Sequence, residues 1–381
     1  MSLAEHYTRF DVANRLLLTG HSHQAWPDVA LEGQIEAFVD AASTVDDKWE
    51  RAFAKADRVR NWFRTLLHDP SGDIALGANT HELVVRFLSA LDMDRRPKLV
   101  TTDGEFHTLR RQLARLAEER VDVVLVPALP AETLAERLAS EVDDRTAAVL
   151  VSSVLFETSR IVPGLDGLAE VCAARGVELL VDAYHALGVV PTTLDGLADA
   201  WVVGGGYKYL QLGEGNCFLR LPPHAQELRP VITGWYAEFD ALADEKDPTR
   251  VTYGPGGTRF AGSTYDPTSH YRAVRVIDFF RAQGLTPEVL REISLRQTSL
   301  LAAAFDELDL VDATRDRSTP RSSFGGFLAV ETPHAAQWQK ALAARGVLTD
   351  SRGHHLRFGP APYLRDDQLT AAMAALGEVS R

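Results

Sequence analysis

The chain has 381 residues, of which 45% are apolar, and a formal net charge of −13. This length suffices for one large or two ordinary domains with a substantial core, and no apolar run approaches the ~18 residues of a membrane span. The acidic balance disfavours nucleic acid as the principal partner.

The cysteine count and the N-terminal residues narrow the class of protein further. Two cysteines argue against a disulfide framework and against a cysteine-based metal site. Cys172 lies in a helical pattern and Cys217 in an apolar run, so both are expected to be buried apolar side chains rather than nucleophiles. No basic segment followed by an apolar one opens the chain, which predicts a cytoplasmic rather than a secreted protein.

Strand and helix patterns alternate through the middle of the chain. In order, the predicted elements are a strand at 98–102, a helix at 108–120, a strand at 121–126, a helix at 131–142, a strand at 147–152, a helix at 165–174 and strands at 177–181 and 200–203. Continuously apolar strands between helices indicate an α/β fold, with a mostly parallel sheet covered by helices on both faces. In such a fold the ligand binds outside the carboxyl ends of the strands.

After about Gly262 the pattern changes. The predicted elements there are helices at 271–283, 286–308, 335–345 and 366–376, with short strands at 326–330 and 354–358. Helices on one side of a small sheet predict a smaller α+β C-terminal domain. We therefore predict a large domain over residues 51–264 and a small domain over 265–381. Residues 1–50 are too few for a core of their own, so we expect them to pack on the small domain or at a dimer interface.

Candidate functional residues follow the ends of predicted strands. From Gly77 the chain has small residues, then the capping residues Asn79 and Thr80, then a helical pattern. Free N–H groups at a helix N-terminus bind anions, so this segment is a candidate phosphate site, and it also fits an ordinary capped helix. Phe106 follows the strand at 98–102 and is a candidate for stacking on a flat ring.

Asp182 and Lys208 are the most informative of the candidate functional residues. Asp182 ends an apolar strand, and Lys208 follows the next apolar run after the glycines Gly204–Gly206, which predict close backbone approach. Pyridoxal phosphate (PLP) needs a lysine that forms a Schiff base with its aldehyde and a carboxylate that keeps its pyridine nitrogen protonated. Because both residues lie at strand ends of one sheet, they can converge on a single cofactor.

Other side chains are placed to complete such a site. His185, three residues after Asp182, could hydrogen-bond that aspartate or cap the local turn. Tyr207 could donate to the phosphate and carry protons, and Trp235 and Thr264 could supply further phosphate donors. Arg357 lies on a short apolar strand, where its planar fork suits either a substrate carboxylate or a structural ion pair.

These residues lie in segments that resemble kynureninases, which belong to the class V branch of fold type I PLP enzymes. The shared segments, in chain order, are Asp182–His185, Gly206–Leu210, Gly234-Trp235, Arg259–Thr264 and Leu356–Pro362. The resemblance extends over most of the chain, and the segments around Lys208 and Arg357 are its more specific parts.

The resemblance implies a fold type I PLP-dependent transferase-like fold and a homodimer with active sites at the subunit interface. It also implies hydrolysis of the β–γ C–C bond of L-kynurenine, or of a related amino acid, to anthranilate and L-alanine in tryptophan catabolism. By position, Lys208 would be the Schiff-base lysine, Asp182 the pyridine partner and Phe106 the stacking ring. Arg357 would hold the substrate carboxylate, and the phosphate would lie among Asn79, Thr80, Tyr207, Trp235 and Thr264.

Three segments depart from the kynureninase pattern. The family's Asn-Ser-Leu-Gly-like stretch is replaced by Gly20–Pro27, in which His21, His23 and Trp26 could contact an aryl group of the substrate. His107–Leu109 replaces the Pro-Thr-Asp that follows the stacking Phe, and Tyr265–Thr268 replaces a Gln/Pro-Pro-Ile-like stretch. The sequence therefore indicates the PLP chemistry more firmly than the substrate.

Other functions fit the same core residues. A class V aminotransferase would use Lys208, Asp182 and Arg357 on an unidentified amino acid. A cysteine desulfurase or selenocysteine lyase would need a cysteine on a mobile loop, and neither Cys172 nor Cys217 is placed for that role. A non-enzymatic binding protein with this fold would have no use for the lysine–aspartate pair.

Overall fold

A computed structural model describes residues 2–244, 246–247 and 249–381. The strands in chain order are Leu16–Leu17 (β1), Asp73–Gly77 (β2), Lys98–Thr102 (β3), Asp122–Val126 (β4), Thr146–Ser152 (β5), Glu178–Asp182 (β6), Trp201–Gly205 (β7), Cys217–Leu221 (β8), Leu328–Glu331 (β9), Val347–Leu348 (β10), Asp350–Arg352 (β11) and His355–Phe358 (β12). The α-helices are Val29–Thr44 (α1), Lys48–Leu66 (α2), Thr80–Leu88 (α3), His107–Ala117 (α4), Leu134–Ser140 (α5), Leu165–Ala174 (α6), Thr268–Ala282 (α7), Pro287–Glu307 (α8), Ala335–Ala343 (α9) and Asp366–Val379 (α10).

The central sheet has seven strands in the order β2-β8-β7-β6-β5-β3-β4. Strand β8 pairs antiparallel with both of its neighbours, and the other strands run parallel to one another. The mostly parallel sheet predicted from the alternating pattern is confirmed. Strands β2 and β8 were not predicted, because β2 begins with Asp73 and ends with Gly77 and is only partly apolar, and β8 follows β7 without an intervening helix.

Both faces of the sheet are covered, which explains why its strands are apolar throughout. Along β5, Val149 and Val151 belong to one hydrophobic cluster, and the alternate residues Ala148 and Leu150 belong to the other. Successive side chains of a strand point to opposite faces, so a strand that lies between two helix layers needs apolar residues at every position.

The C-terminal residues form a second, smaller sheet in the antiparallel order β11-β12-β9. Strands β11 and β12 form a hairpin that turns at Gly353, whose φ of 54° lies in the left-handed region that favours glycine. Helices α8 and α9 pack against this sheet, and α10 packs against both of these helices.

The N-terminal residues are joined to the C-terminal part of the chain. Strand β1 pairs in parallel with β10, and an isolated bridge joins Thr19 to Gly359 just after β12. Helix α1 packs along α7. The division at residues 50 and 264 remains an interpretation of the sequence, although these pairings are of the kind it anticipated.

Within the described residues, no helix combines the length and the apolar character needed to cross a lipid bilayer. The same part of the chain contains no group of three or more His, Cys, Asp or Glu side chains arranged to hold a metal ion.

Candidate active site

The predicted chemistry-bearing residues converge at the carboxyl ends of four neighbouring strands. Asp182 is the last residue of β6, and Lys208 lies three residues beyond the end of the adjacent strand β7. Ser152 ends β5 on the other side of β6, and Phe106 follows β3, the next strand. Parallel strands bring these ends to one edge of the sheet, which is where ligands bind in open α/β folds.

Lys208 is buried in a pocket of aromatic and imidazole rings. Its Nζ lies 2.6 Å from His185 Nε2, 4.9 Å from the centroid of the Tyr184 ring and 5.3 Å from that of Phe106. Burial lowers the pKa of Lys208, and the charge of Arg357 lowers it further, while Asp182 opposes the shift. A buried lysine of this kind is readily neutral, which a nucleophilic or basic amine requires.

The glycines before Lys208 allow close packing. A Cβ atom on Gly205 would lie 2.2 Å from the Tyr184 hydroxyl and 2.7 Å from Cys217 Sγ. Any larger residue there would displace the tyrosine that lies against the lysine. The close approach predicted from the glycine run is therefore present in the structure.

Asp182 is held by the backbone that follows it. Its Oδ1 accepts a hydrogen bond of 2.8 Å from the Tyr184 N–H. Burial raises the pKa of Asp182, although the Tyr184 N–H and the nearby Lys208 charge act in the opposite direction. A cationic group bound next to the Asp182 carboxylate would keep it ionised, because an opposite charge stabilises the charged form.

His185 has an unused ring nitrogen. Its Nε2 contacts Lys208, while Nδ1 is buried and has no hydrogen-bond partner in the structure. Burial lowers the pKa of His185 well below its usual value, and the Lys208 charge adds to this effect. The neutral imidazole therefore accepts from Lys208 at Nε2 and retains an Nδ1–H that can donate to a ligand.

Helix α3 brings the predicted anion site close to this pocket. Asn79 caps the helix, because its side chain accepts a 2.9 Å hydrogen bond from the Glu82 N–H. The Thr80 N–H contacts Cys217, whose Sγ lies 3.5 Å from the Tyr184 hydroxyl. The Tyr184 ring in turn lies 5.0 Å from the Tyr207 ring, centroid to centroid. Asn79 thus acts as an ordinary cap, and the helix N-terminus lies next to the tyrosines that surround Lys208.

Trp235 and Thr264 lie in a separate, exposed group. Their segments touch each other, since a Cβ on Gly234 would lie 2.1 Å from the Gly262 carbonyl oxygen. Trp235 is 40% exposed and packs on Tyr236. Among the contacts of the described residues, neither Trp235 nor Thr264 reaches Lys208 of the same chain. Their predicted role at the phosphate remains a prediction, because the contacts within one chain do not bring them to the Lys208 pocket.

Arg357 is buried and already paired. Its Nε and Nη2 donate to the two oxygens of Asp350 at 2.7 Å and 2.6 Å, and Nη1 donates to the Phe156 carbonyl oxygen. Asp350 also lies 2.9 Å from His21 Nε2. The structural ion pair left open by the sequence is present, and the charge of Arg357 nevertheless acts on Lys208.

The three N-terminal residues expected at an aryl group have different surroundings. His21 is buried beside Asp350, whereas His23 is exposed and stacks on Tyr207 with ring centroids 5.1 Å apart. Trp26 packs on Arg272, whose guanidinium lies 4.5 Å from the centroid of the indole ring. No described contact joins Trp26 to the Lys208 pocket, so its predicted substrate contact has no support from the geometry.

Glu105 is a site residue that the sequence reading missed. It is 1% exposed and accepts hydrogen bonds from the Ser152 hydroxyl at 2.6 Å, the Ser152 N–H at 3.1 Å and the Thr102 hydroxyl at 2.8 Å. Burial raises the pKa of Glu105 to about 7, and these hydrogen bonds limit the rise. No clear signal marked it, because a glutamate in a loop between a strand and a helix is ordinarily solvated.

Comparison with known families identifies relatives of the chain. Residues 290–376 match the family model described as the kynureninase C-terminal domain. The kynureninase of Pseudomonas fluorescens is 25% identical over 378 residues, which cover 91% of this chain and 86% of that protein. The kynureninase of Burkholderia mallei (strain SAVP1) is 28% identical over 256 residues, which cover 64% of this chain and 58% of that protein. The resemblance read from the motifs is confirmed.

Solved structures with the same architecture confirm the fold. A C-DES mutant with glycine covalently linked to the PLP cofactor superposes with a TM-score of 0.84 at 16% identity, covering 98% of both chains. A cysteine desulfurase from Thermococcus onnurineus NA1 gives a TM-score of 0.80 at 16% identity, covering 99% of this chain and 98% of that one. The architecture is that of the fold type I PLP-dependent enzymes.

The residues at the strand ends fit PLP. A buried amine, a buried carboxylate at a neighbouring strand end and an unpartnered His185 Nδ1 supply the three kinds of group that its aldehyde, pyridine nitrogen and ring oxygen require. The Phe106 ring lies against the amine, where a planar ligand would stack. The N-terminus of α3 provides N–H groups for an anion on the same side.

Proposed function

We propose that this chain, a relative of kynureninases with the fold of type I PLP-dependent enzymes, is a PLP-dependent hydrolase. Its proposed reaction cleaves the β–γ C–C bond of L-kynurenine, or of a closely related amino acid, to give anthranilate and L-alanine. The observation that carries the proposal is the buried convergence of Lys208, Asp182 and Phe106 at adjacent strand ends, in a chain whose curated relatives are kynureninases.

PLP, when bound, supplies an electron sink that stabilises the charge left when a bond to the substrate α-carbon breaks. Lys208 would bond to the cofactor aldehyde through Nζ. Once the substrate amine has displaced Lys208, the free Lys208 amine would accept the α-proton of the substrate, because burial favours the neutral form of this lysine. Asp182 would hold the proton on the pyridine nitrogen, and the positive charge there would keep the carboxylate ionised despite burial.

Two further residues would manage the substrate and the protons. Arg357 would bind the α-carboxylate with the N–H groups that Asp350 and Phe156 leave free. Burial raises the pKa of Tyr207, which keeps the hydroxyl protonated and able to donate to the phosphate or to return a proton.

A homodimer with shared active sites is part of the proposal. The support is an exposed apolar surface that includes Val231, Ile232 and Trp235, which are 82%, 50% and 40% exposed. Thr264 lies beside this surface and is exposed too. Exposed apolar residues in a cluster commonly mark protein interfaces. A second copy seated there would bring Trp235 and Thr264 to the phosphate side of its partner's site. A cytoplasmic location and a place in tryptophan catabolism also belong to the proposal.

A class V aminotransferase is the second candidate, because Lys208, Asp182 and Arg357 would serve it equally. A cysteine desulfurase is less well supported. The chain's two cysteines, Cys172 and Cys217, are both buried. Burial raises the pKa of Cys172 to about 12 and that of Cys217 to about 11. Neither thiol is accessible as a thiolate that could carry sulfur.

The deciding experiment is product analysis by mass spectrometry after the PLP-loaded protein is incubated with L-kynurenine. Anthranilate and L-alanine in equal amounts, formed without a 2-oxo acid, are expected from the hydrolase. Transfer of the amino group to an added 2-oxo acid, without anthranilate, would instead identify an aminotransferase. The Lys208→Ala variant is the control and should give neither product.

A further inference from the structure

The histidine at position 21 is buried. It is 1% exposed and lies against the Phe327 ring, with centroids 4.6 Å apart. A Cβ on Gly359 would lie 2.2 Å from His21 Nδ1, so the imidazole fills the space that this glycine leaves. The imidazole is therefore held in place by packing on both sides.

The hydrogen bond of His21 has a defined direction. Its Nε2 lies 2.9 Å from Asp350 Oδ1. Asp350 is ionised, because the hydrogen bonds from His21 and Arg357 hold its pKa well below the usual range against the effect of burial. A carboxylate only accepts, so Nε2 carries the proton. Burial lowers the pKa of His21 to about 4, which leaves the imidazole neutral at physiological pH.

Asp350, which accepts the hydrogen bond from His21, also binds Arg357. The two residues are direct partners across the β11–β12 hairpin, and both carboxylate oxygens receive a guanidinium N–H. Arginine has five N–H donors. Two bond Asp350 and one bonds the Phe156 carbonyl oxygen, which leaves two for a ligand. The bidentate pair with Asp350 sets the plane of the guanidinium and therefore the direction of its two remaining N–H groups.

The backbone holds His21 and Arg357 in one structural unit. The Gly359 N–H donates to the Leu18 carbonyl oxygen at 2.7 Å, and the Gly20 N–H donates to the Gly359 carbonyl oxygen at 2.8 Å. His21 therefore follows a short strand pairing with the segment that carries Arg357 two residues earlier. The main chain therefore holds the backbone of His21 close to the strand that carries Arg357, the partner of Asp350.

We propose that His21 is a positioning residue for the substrate carboxylate: it fixes Asp350, and Asp350 fixes the guanidinium of Arg357. The inference rests on the proposed function, in which Arg357 binds the α-carboxylate. It gives His21 a role other than the aryl contact expected from the sequence, and that contact stays a prediction. It also gives this chain's departure from the kynureninase pattern at Gly20–Pro27 a specific purpose.

The test compares two ligands that differ only by a carboxylate, L-alanine and ethylamine. Their dissociation constants are measured by visible absorbance titration of the PLP-loaded wild type, His21→Leu and His21→Gln. Leucine fills the space without a donor, and the glutamine Nε2 can reach the position of the histidine Nε2. We expect the wild type to prefer alanine, His21→Leu to lose about tenfold of this preference, and His21→Gln to keep it within about twofold.

Each other outcome has a distinct meaning. Equal weakening of both ligands by His21→Leu, or an unchanged preference, overturns the inference and leaves His21 as a packing residue. The same holds if His21→Gln behaves like His21→Leu. A wild type that binds both ligands equally refutes instead the role of Arg357 in the proposed function. If His21→Leu does not fold, His21→Met replaces it, since the flexible thioether also lacks a donor.

Discussion

Around Lys208, burial shifts the pKa of three ionisable residues. It lowers the pKa of Lys208 and of His185 and raises the pKa of Asp182, so that each group is shifted toward its neutral form. Lys208 becomes a usable nucleophile and base, and Asp182 becomes a carboxylate that gains most from a cationic partner. These shifts depend on the enclosure of the site as well as on residue type.

Lys208→Ala is expected to abolish the yellow colour of the PLP-loaded protein and all activity. No other described lysine contacts Asp182, His185 or Phe106, so none can replace its amine. Borohydride reduction of the loaded wild type followed by peptide mapping should place the pyridoxyl label on Lys208. Lys98 is the internal control, because it is committed to Asp143 and the Glu141 carbonyl oxygen at the far end of β3. A label on any other lysine contradicts the assignment.

Asp182→Ala should lower turnover by roughly two to three orders of magnitude. The loss of the negative charge lowers the pKa of the pyridine nitrogen, so the electron sink is weakened while covalent attachment at Lys208 persists. Turnover and visible absorbance measured on the same sample separate these two effects. Near-normal turnover would mean that another acid serves the pyridine nitrogen.

Arg357→Lys should weaken amino-acid binding by about 2–5 kcal/mol, or roughly 30-fold to several thousand-fold, because a point charge cannot reproduce the planar fork. PLP content should change little, since Lys208, Asp182 and Phe106, which are proposed to hold the cofactor, lie at or just beyond strand ends of the central sheet. Dissociation constants for L-alanine measure the effect. Arg345→Lys is the control and should bind alanine normally, because Arg345 pairs with Glu378 rather than with Asp350. A lower melting temperature with unchanged alanine affinity would make Arg357 purely structural.

Among the secondary-structure elements, side chains rather than backbone alone hold the strand ends in register. Glu105 follows β3 and accepts three hydrogen bonds, two of them from Ser152 at the end of β5. Ser152 is the register partner of Asp182 in β6. Glu105 thus joins the segment that carries Phe106 to the strands that carry the chemistry.

Glu105→Ala should lower the free energy of unfolding by about 2–4 kcal/mol, because it leaves the buried donors of Ser152 and Thr102 without an acceptor. Glu105→Gln keeps the shape and one acceptor oxygen, and Ser152 can turn its hydroxyl to accept from the amide. We therefore expect its unfolding free energy at pH 5 to lie within about 1 kcal/mol of wild type. Chemical denaturation measures both variants.

A comparison of wild type with Glu105→Gln across pH reveals the titration of Glu105. Its pKa is about 7 in the folded chain, whereas an unfolded glutamate titrates near ~4.3. Between these values the unfolded state has released a proton that the folded state still binds, so wild-type stability falls as pH rises toward 7 and then levels off. Glutamine does not titrate, so Glu105→Gln should gain up to about 3 kcal/mol over wild type between pH 5 and pH 8. A difference that does not change with pH would mean that Glu105 is already ionised at pH 5.

In the molecule as a whole, one exposed apolar surface is the group around Trp235. Trp235 packs on Tyr236 and Phe239, and Phe53 from α2 adds to the same group. These rings lie beside Thr264 and have no described contact with Lys208 of the same chain. A site completed by a second copy accounts for both facts.

Mixing two inactive variants tests this shared site. Lys208→Ala and Trp235→Ala would place both defects in one site of a mixed dimer and leave its other site intact. Refolding an equal mixture should therefore restore about a quarter of wild-type activity, because half of the dimers are mixed and each has one intact site. Each variant refolded alone is the control. A mixture without activity would mean that Trp235 serves the site of its own chain.

Much of the large domain could be predicted because its signals are local. The helix at Leu165–Ala174 and the strand at Lys98–Thr102 were predicted with their observed bounds, since apolar periodicity and length identify a helix or a doubly buried strand. The same reasoning failed at β2 and β8. The edge strand β2 needs fewer apolar residues, whereas β8 is mostly apolar but follows β7 without a helix, so its antiparallel place between β2 and β7 depends on residues far away in the chain.

The sequence by itself determined the kind of chemistry. A lysine after three glycines, an aspartate at a strand end and the segments shared with kynureninases together indicated PLP, because parallel strands bring their carboxyl ends together wherever such a sheet forms. Only the tertiary structure decided how these groups are charged and held. The burial of Lys208, the pairing of Arg357 with Asp350 and the contact of His21 with that pair involve residues 7 to 329 positions apart. Burial and hydrogen bonding depend on what surrounds a side chain in space, and the neighbouring letters of the sequence do not specify those surroundings.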